Sequence, residues 1–195
     1  MTTIQTTSRP QLEREIKFLQ TITDRIKNDN GAKADFKRAL SGEYHHIRKI
    51  YPFVLPYLDG IHERQQDIWI FIACLSILHD QDAGSSLRNF AQSCLDLHNS
   101  SESKGPERRF RTLLDTDLAD IQSPLTALVR QIKSKKDRTI PIYYPKLLSD
   151  LCHWDHPDQY IQDQWARTFW GVSALEKEYQ PSQNAEDKSQ SSHLV

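Results

Sequence analysis

The stretch Ile68–Leu78, IWIFIACLSIL, is apolar at every position except Ser76, and it constrains the fold of this chain more than any other feature. A helix that is apolar on every side must be surrounded by other elements. The run is also too short to span a bilayer, which needs about 20 apolar residues. The spacing therefore predicts a central helix over Ile61–His79, around which the remaining segments must wrap.

The remaining segments are suited to that. Gln11–Asp29 reads as a first helix with Leu12, Ile16, Leu19, Ile22 and Ile26 on one face, ended by Asn28-Asp29-Asn30-Gly31. Ala32–Leu40 follows, with Phe36, Ala39 and Leu40 inward and Lys33, Lys37 and Arg38 outward. Glu43–Leu58 is apolar but broken by Pro52 and Pro56, and its His45 and His46 read as surface or cap residues. Ser85 or Ser86 is placed to cap a helix carrying Leu87, Phe90, Ala91, Cys94 and Leu95. Tyr144-Pro145 opens another, with Leu147, Leu148, Leu151 and Cys152 inward, and Pro157 starts a last one with Ile161, Trp165, Phe169 and Val172.

Six glycines, nine prolines and few alternating apolar-polar runs argue against sheet. The fold class is all-α: two small helical bundles joined by a short polar linker. The division expected is an N-terminal bundle over 1–98, a linker over 99–106, a C-terminal bundle over 107–179 and a disordered tail over 180–195, rich in Ser, Gln and Asp.

Charge is unevenly spread. The net charge is −1, yet Lys104–Lys146 holds ten Lys/Arg against five Asp/Glu, and Leu147–Val195 three against eight. Within the basic stretch, Phe110, Leu113 and Leu114 share one helical face and Arg108, Arg109 and Arg111 take the sides left over. Ser123 reads as an N-cap with Pro124 at the first helical position. Leu125, Leu128, Val129 and Ile132 follow at core spacing, while Arg130, Lys133 and Lys136 fall three apart along another side. A solvated charged face is one reading; a localised anion-binding face, with nucleic acid the commonest partner, is the other.

Catalytic motifs are absent: there is no Gly-rich phosphate loop, nucleophile elbow, His-Glu-x-x-His or Cys-x-x-Cys. Cys94-x3-His98 and Cys152-x3-His156 could together supply four zinc ligands, or could be two core thiols with imidazoles near helix ends. Three unclustered cysteines and an N-terminus without a signal-peptide core suit a reducing compartment, with the cytoplasm as the default. Trp154, Trp165 and Phe169 read as core rather than as a base-stacking platform, with Trp170 left open.

Four groups of residues carry a family likeness. Phe36-Lys-Arg-Ala-Leu-Ser-Gly42, Glu107-Arg-Arg-Phe-Arg-Thr-Leu-Leu-Asp115 and Leu128-Val-Arg-Gln-Ile-Lys-Ser134 are three basic helical stretches. Tyr144-Pro-Lys-Leu-Leu-Ser-Asp-Leu-Cys-His-Trp-Asp-His156 with Trp165-Ala-Arg-Thr-Phe-Trp170 is the fourth. In this order they resemble the CasB family, the small subunit of the type I-E CRISPR surveillance complex Cascade, from about residue 33 to 172. The tail beyond Gln180 has no counterpart in that pattern.

The resemblance implies a non-catalytic, cofactor-free helical subunit. Its partners would be the guide-RNA backbone subunits, the large subunit and a second copy of itself stacked head to tail. Its basic face would hold the target and displaced DNA strands and stabilise the R-loop, with Lys37, Arg38, Arg108, Arg109, Arg111, Arg130, Lys133 and Lys136 as the nucleic-acid-binding set. The competing readings are a metal-binding or enzymatic domain using Cys94, His98, Cys152 and His156, and a protein–protein adaptor whose basic face docks an acidic partner.

Overall fold

A computed structural model describes residues 12–81, 88–135 and 139–178, with the backbone alone for 172–178. The expected cap at Ser85 or Ser86, Leu87, Lys136 and the tail from residue 180 lie outside the described residues, as does the Val172 side chain. Among the described residues the secondary structure is entirely helical. In chain order the helices are α1 (Glu13–Ile26), α2 (Asn30–Ala39), α3 (Tyr44–Val54), α4 (Glu63–Leu78), α5 (Phe90–Asn99), α6 (Gly105–Leu114), α7 (Gln122–Ser134), α8 (Tyr144–Leu151) and α9 (Tyr160–Glu178).

Helix α4 takes the central place its sequence demands. Ile68 through Leu75 and Ile77 are all buried, and Ser76 turns its hydroxyl back onto the Ala73 carbonyl at 2.8 Å. Helices α1, α2, α7 and α8 pack against it. A second set forms around α5, which packs on α6, α7 and α9. Grouping in space thus departs from chain order, because α8 lies on α1 and α4 while α5 lies with the later helices. The buried side chains of both sets form one continuous apolar cluster.

Trp154, between α8 and α9, and Trp165 and Phe169 of α9 belong to this core. Trp165, Trp154 and Phe169 are 0%, 2% and 2% exposed. Phe110 of α6 stacks on Phe169 with centroids 4.4 Å apart, and Trp154 meets Trp165 edge-on at 5.0 Å. One acid is buried among them: Asp150 accepts from Trp165 Nε1 at 3.0 Å and is paired with Lys146. Burial pushes the Asp150 carboxyl above its ordinary value, and Lys146 and the Trp165 N–H pull against that.

Several local expectations need correction. Ile16 is 39% exposed and Phe18 takes the inward place on α1. Asp29 does not merely end the first helix; its Oδ1 accepts from Ala32 N at 2.8 Å and caps α2. Ser123 is no N-cap. A 3-10 turn at Leu118–Asp120 leads directly into α7, which the buried Ile121 anchors and whose Leu125 N–H already reaches the Ile121 carbonyl. Gly105 and Pro106 belong to α6 rather than to a linker, and Pro106 is buried. The last helix begins at Tyr160, after Gln159 turns the chain with φ 48°, and not at Pro157. Pro52 sits inside α3, and the helix tightens into a 3-10 turn at Leu55–Tyr57 immediately beyond it.

Candidate nucleic-acid interface

Helices α2 and α4 pack together, and α7 packs on α4 from another side. The fold thereby brings the exposed side of α2 and the end of α7 to a common groove of about 490 Å³ at the C-terminus of α4. Lys33 and Lys37 line it from α2, one helical turn apart, and Lys133 and Lys135 line it from the end of α7. Asp80 is an acid in the same lining. Lys37 and Lys133, almost a hundred residues apart in sequence, are neighbours across this groove only because α4 separates and supports their helices.

Three of these ammonium groups are held by helix ends. Lys133 Nζ donates to the Leu78 carbonyl at the end of α4 (2.7 Å), Lys135 Nζ to the Ser100 carbonyl after α5 (3.0 Å), and Lys33 Nζ to the Lys27 carbonyl after α1 (2.7 Å). These carbonyls carry the negative end of the helix dipole and lack intrahelical partners. Each lysine keeps two further N–H donors. The charges are therefore positioned, with Lys133 exposed and Lys33 and Lys135 half-buried.

His79 forms the floor. It is 9% exposed, and its Nε2 lies 3.3 Å from the Ile140 carbonyl. Burial lowers its pKa, the Ile140 hydrogen bond acts to raise it, and the Lys133 charge lowers it further.

The arginines of α6 and α7 lie outside that lining. Arg109 Nη1 donates to Gln131 Oε1 at 2.9 Å and so bridges α6 to α7. Arg108 and Arg130 are exposed, with no acidic partner among the described residues. Arg111 is turned toward α9: its guanidinium lies 5.5 Å from the Trp170 ring centroid and 3.3 Å from Glu107 Oε1. Glu107 also accepts from Trp170 Nε1 at 3.3 Å, and that hydrogen bond is the main cause holding its carboxyl below the ordinary value. Trp170 is thus half-buried and engaged in a polar cluster. Arg38 is paired with Asp35 at 3.0 Å and is not part of the groove lining.

The structure consequently assembles Lys37 with Lys133, ties Arg109 to α7, leaves Arg108 and Arg130 open, and partly neutralises Arg38 and Arg111. Lys33 and Lys135 join the groove though they were outside the set drawn from sequence. The i,i+4 spacing of Lys33 and Lys37 was the available signal for the first. Nothing local marks Lys135, whose place depends on where α5 ends.

The alternative ligand set does not converge. Cys94 lies in α5 among α6, α7 and α9, whereas Cys152 ends α8, which packs on α1 and α4. No three of Cys94, His98, Cys152 and His156 come within ligand reach of one another. Burial also pushes both thiols up, Cys152 to about 11, which disfavours the thiolate a metal needs. Among the described residues, no helix is long and apolar enough to cross a membrane.

Comparison with known proteins agrees with the fold. A Thermus thermophilus protein described as CRISPR-associated protein Cse2 is 30% identical over 149 residues, 75% of this chain and 83% of its own length. The crystal structure of M. ruber CasB aligns with a TM-score of 0.70 at 24% identity, covering 86% of this chain and 98% of that one. A chain of a CRISPR RNA-guided surveillance complex shares the fold with a TM-score of 0.68 at 16% identity, covering 86% of this chain and 98% of its own. The model of the family CRISPR-associated protein Cse2 matches residues 32–170, from just before Lys33 to Trp170. The chain belongs to the CRISPR-associated Cse2 family, which includes CasB.

Proposed function

We propose that this chain is a non-catalytic subunit of a CRISPR RNA-guided surveillance complex that grips DNA by its phosphates. The groove where Lys33 and Lys37 face Lys133 and Lys135 carries this reading. Its chemistry is ammonium on a rigid helical frame, which suits backbone contacts and reads no base sequence. Exchange of a DNA duplex for a guide–target duplex is close to energetic balance, so contacts to the backbone can tip it. The target and displaced strands are the polyanions such a surface would hold, and the R-loop is the state it would stabilise. Guide-RNA backbone subunits, the large subunit and a second copy of the chain are the neighbours proposed for it, with no cofactor.

The test is the salt dependence of DNA binding by the purified chain. Log affinity should fall linearly with log salt, with a slope of about −0.9 per phosphate neutralised on duplex DNA. Binding should differ little between unrelated sequences. A flat salt dependence, or strong preference for one sequence, would count against phosphate gripping. Binding to protein partners with no response to nucleic acid would favour the adaptor reading.

A further inference from the structure

The turn between α2 and α3 holds a cluster that the groove does not use. Gly42, at φ 77°, reverses the chain so that Glu43 precedes the first turn of α3. Glu43 is the N-cap residue, yet its carboxylate caps no backbone N–H. Instead its Oε2 lies 3.3 Å from His45 Nδ1. The His45 and His46 ring centroids lie 3.9 Å apart with their planes tilted by 44°, and one ligand atom each from Glu43, His45 and His46 lies within 4.8 Å of the others. Among the described residues this is the one group of three possible ligands that is so assembled.

His46 Nδ1 adds an independent sign. It is buried and has no hydrogen-bond partner among the described residues. An unsatisfied buried ring nitrogen costs free energy unless something binds it. The same ring is the third member of the Glu43, His45 and His46 group.

We propose that Glu43, His45 and His46 bind one divalent transition-metal ion of the zinc class. Two imidazoles and a carboxylate form a three-ligand set that leaves a fourth position for water or another ligand. Nitrogen donors favour zinc, nickel or copper over magnesium and calcium. Bonds of about 2.0–2.1 Å place tetrahedral ligand atoms about 3.4 Å apart, so side-chain rotation in the exposed Glu43 and His45 must draw the set inward. The positive end of the α3 dipole opposes a cation here, and the Glu43 charge offsets it. A bound ion would clip the Gly42 turn to α3, fixing the corner that follows Lys37 and Arg38. This site rests on different residues from the groove and stands or falls separately from it.

The experiment titrates the full-length chain with zinc chloride alone in a non-coordinating buffer, followed by calorimetry and by thermal melting. One zinc per chain and a rise in melting temperature are expected, reversed by chelator, with neither produced by magnesium at the same concentration. Glu43→Gln and His45→Ala remove exposed side chains, should melt as the wild type without metal, and should weaken zinc binding at least about tenfold. His46→Gln should do the same, and if that variant folds poorly the other two still decide. Cys152→Ser should leave binding unchanged. No saturable binding, unchanged affinity in the Glu43 and His45 variants, or loss confined to Cys152→Ser would each overturn the site.

Discussion

Single residues here do more than fill space. Trp165 is fully buried and its N–H is one of two partners of the buried Asp150. Trp165→Ala should therefore destabilise the protein by about 3–5 kcal/mol by denaturant titration. Trp165→Phe should keep most packing yet still cost about 1–3 kcal/mol, because Asp150 loses its donor; a neutral Trp165→Phe would show that the hydrogen bond contributes little. His79 gives a pH signature. Its folded pKa is lowered from 6.5 by burial first and by Lys133 as well, so the unfolded chain binds its proton more readily. Its contribution is present above about 6.5 and is lost as pH falls from there toward the folded value. Asp150, with a raised pKa, has the opposite sign and favours the folded state on acidification. Comparing wild type with His79→Gln isolates the first effect: the variant should lose less stability between pH 7 and pH 5. Parallel curves would contradict the assignment. The burial of Trp165 was readable from its helical spacing. Asp150 was not, since an acid between Ser149 and Leu151 carries no mark of a tryptophan fifteen residues away.

At the level of elements, apolar periodicity located most of the helices, and their ends were less legible. The all-apolar run of α4 admits only a surrounded helix, and that is what forms. Ends depend on which orphan donors and acceptors find partners. Asn28-Asp29-Asn30-Gly31 reads as a stop, and it also starts α2 through the Asp29 carboxylate. Asp29→Ala should cost about 0.5–2 kcal/mol, measured by chemical denaturation, whereas Asn28→Ala should be close to neutral. Equal effects would mean that the turn, and not the cap, matters. Ser123-Pro124 resembles a cap in sequence, but the 3-10 turn before it and the buried Ile121 carry helical geometry through that point. A burial-driven helix start leaves no trace in a capping motif.

Across the whole molecule, the basic groove joins residues from both halves of the chain. Sequence placed positive charge on α2, α6 and α7, but not the register in which α4 presents α2 to α7. That register puts Lys37 opposite Lys133, while pairing one turn apart within a single helix sets Arg38 against Asp35 and Arg111 against Glu107. Charge counting treats all of these alike; the fold does not. Lys37 and Arg130 are exposed, without acidic partners among the described residues, and their reversal leaves the core untouched. A single exposed ion contact is worth at most about 1 kcal/mol, but reversal replaces attraction by repulsion along the strand path. The most direct measurement is the dissociation rate of a preformed R-loop in a reconstituted complex carrying Lys37→Glu with Arg130→Glu. Complex size should be unchanged and dissociation should quicken by about tenfold or more, the equivalent of about 1.4 kcal/mol, while Asp158→Lys should cause no comparable loss. Unchanged dissociation in an intact complex would contradict the phosphate-gripping groove.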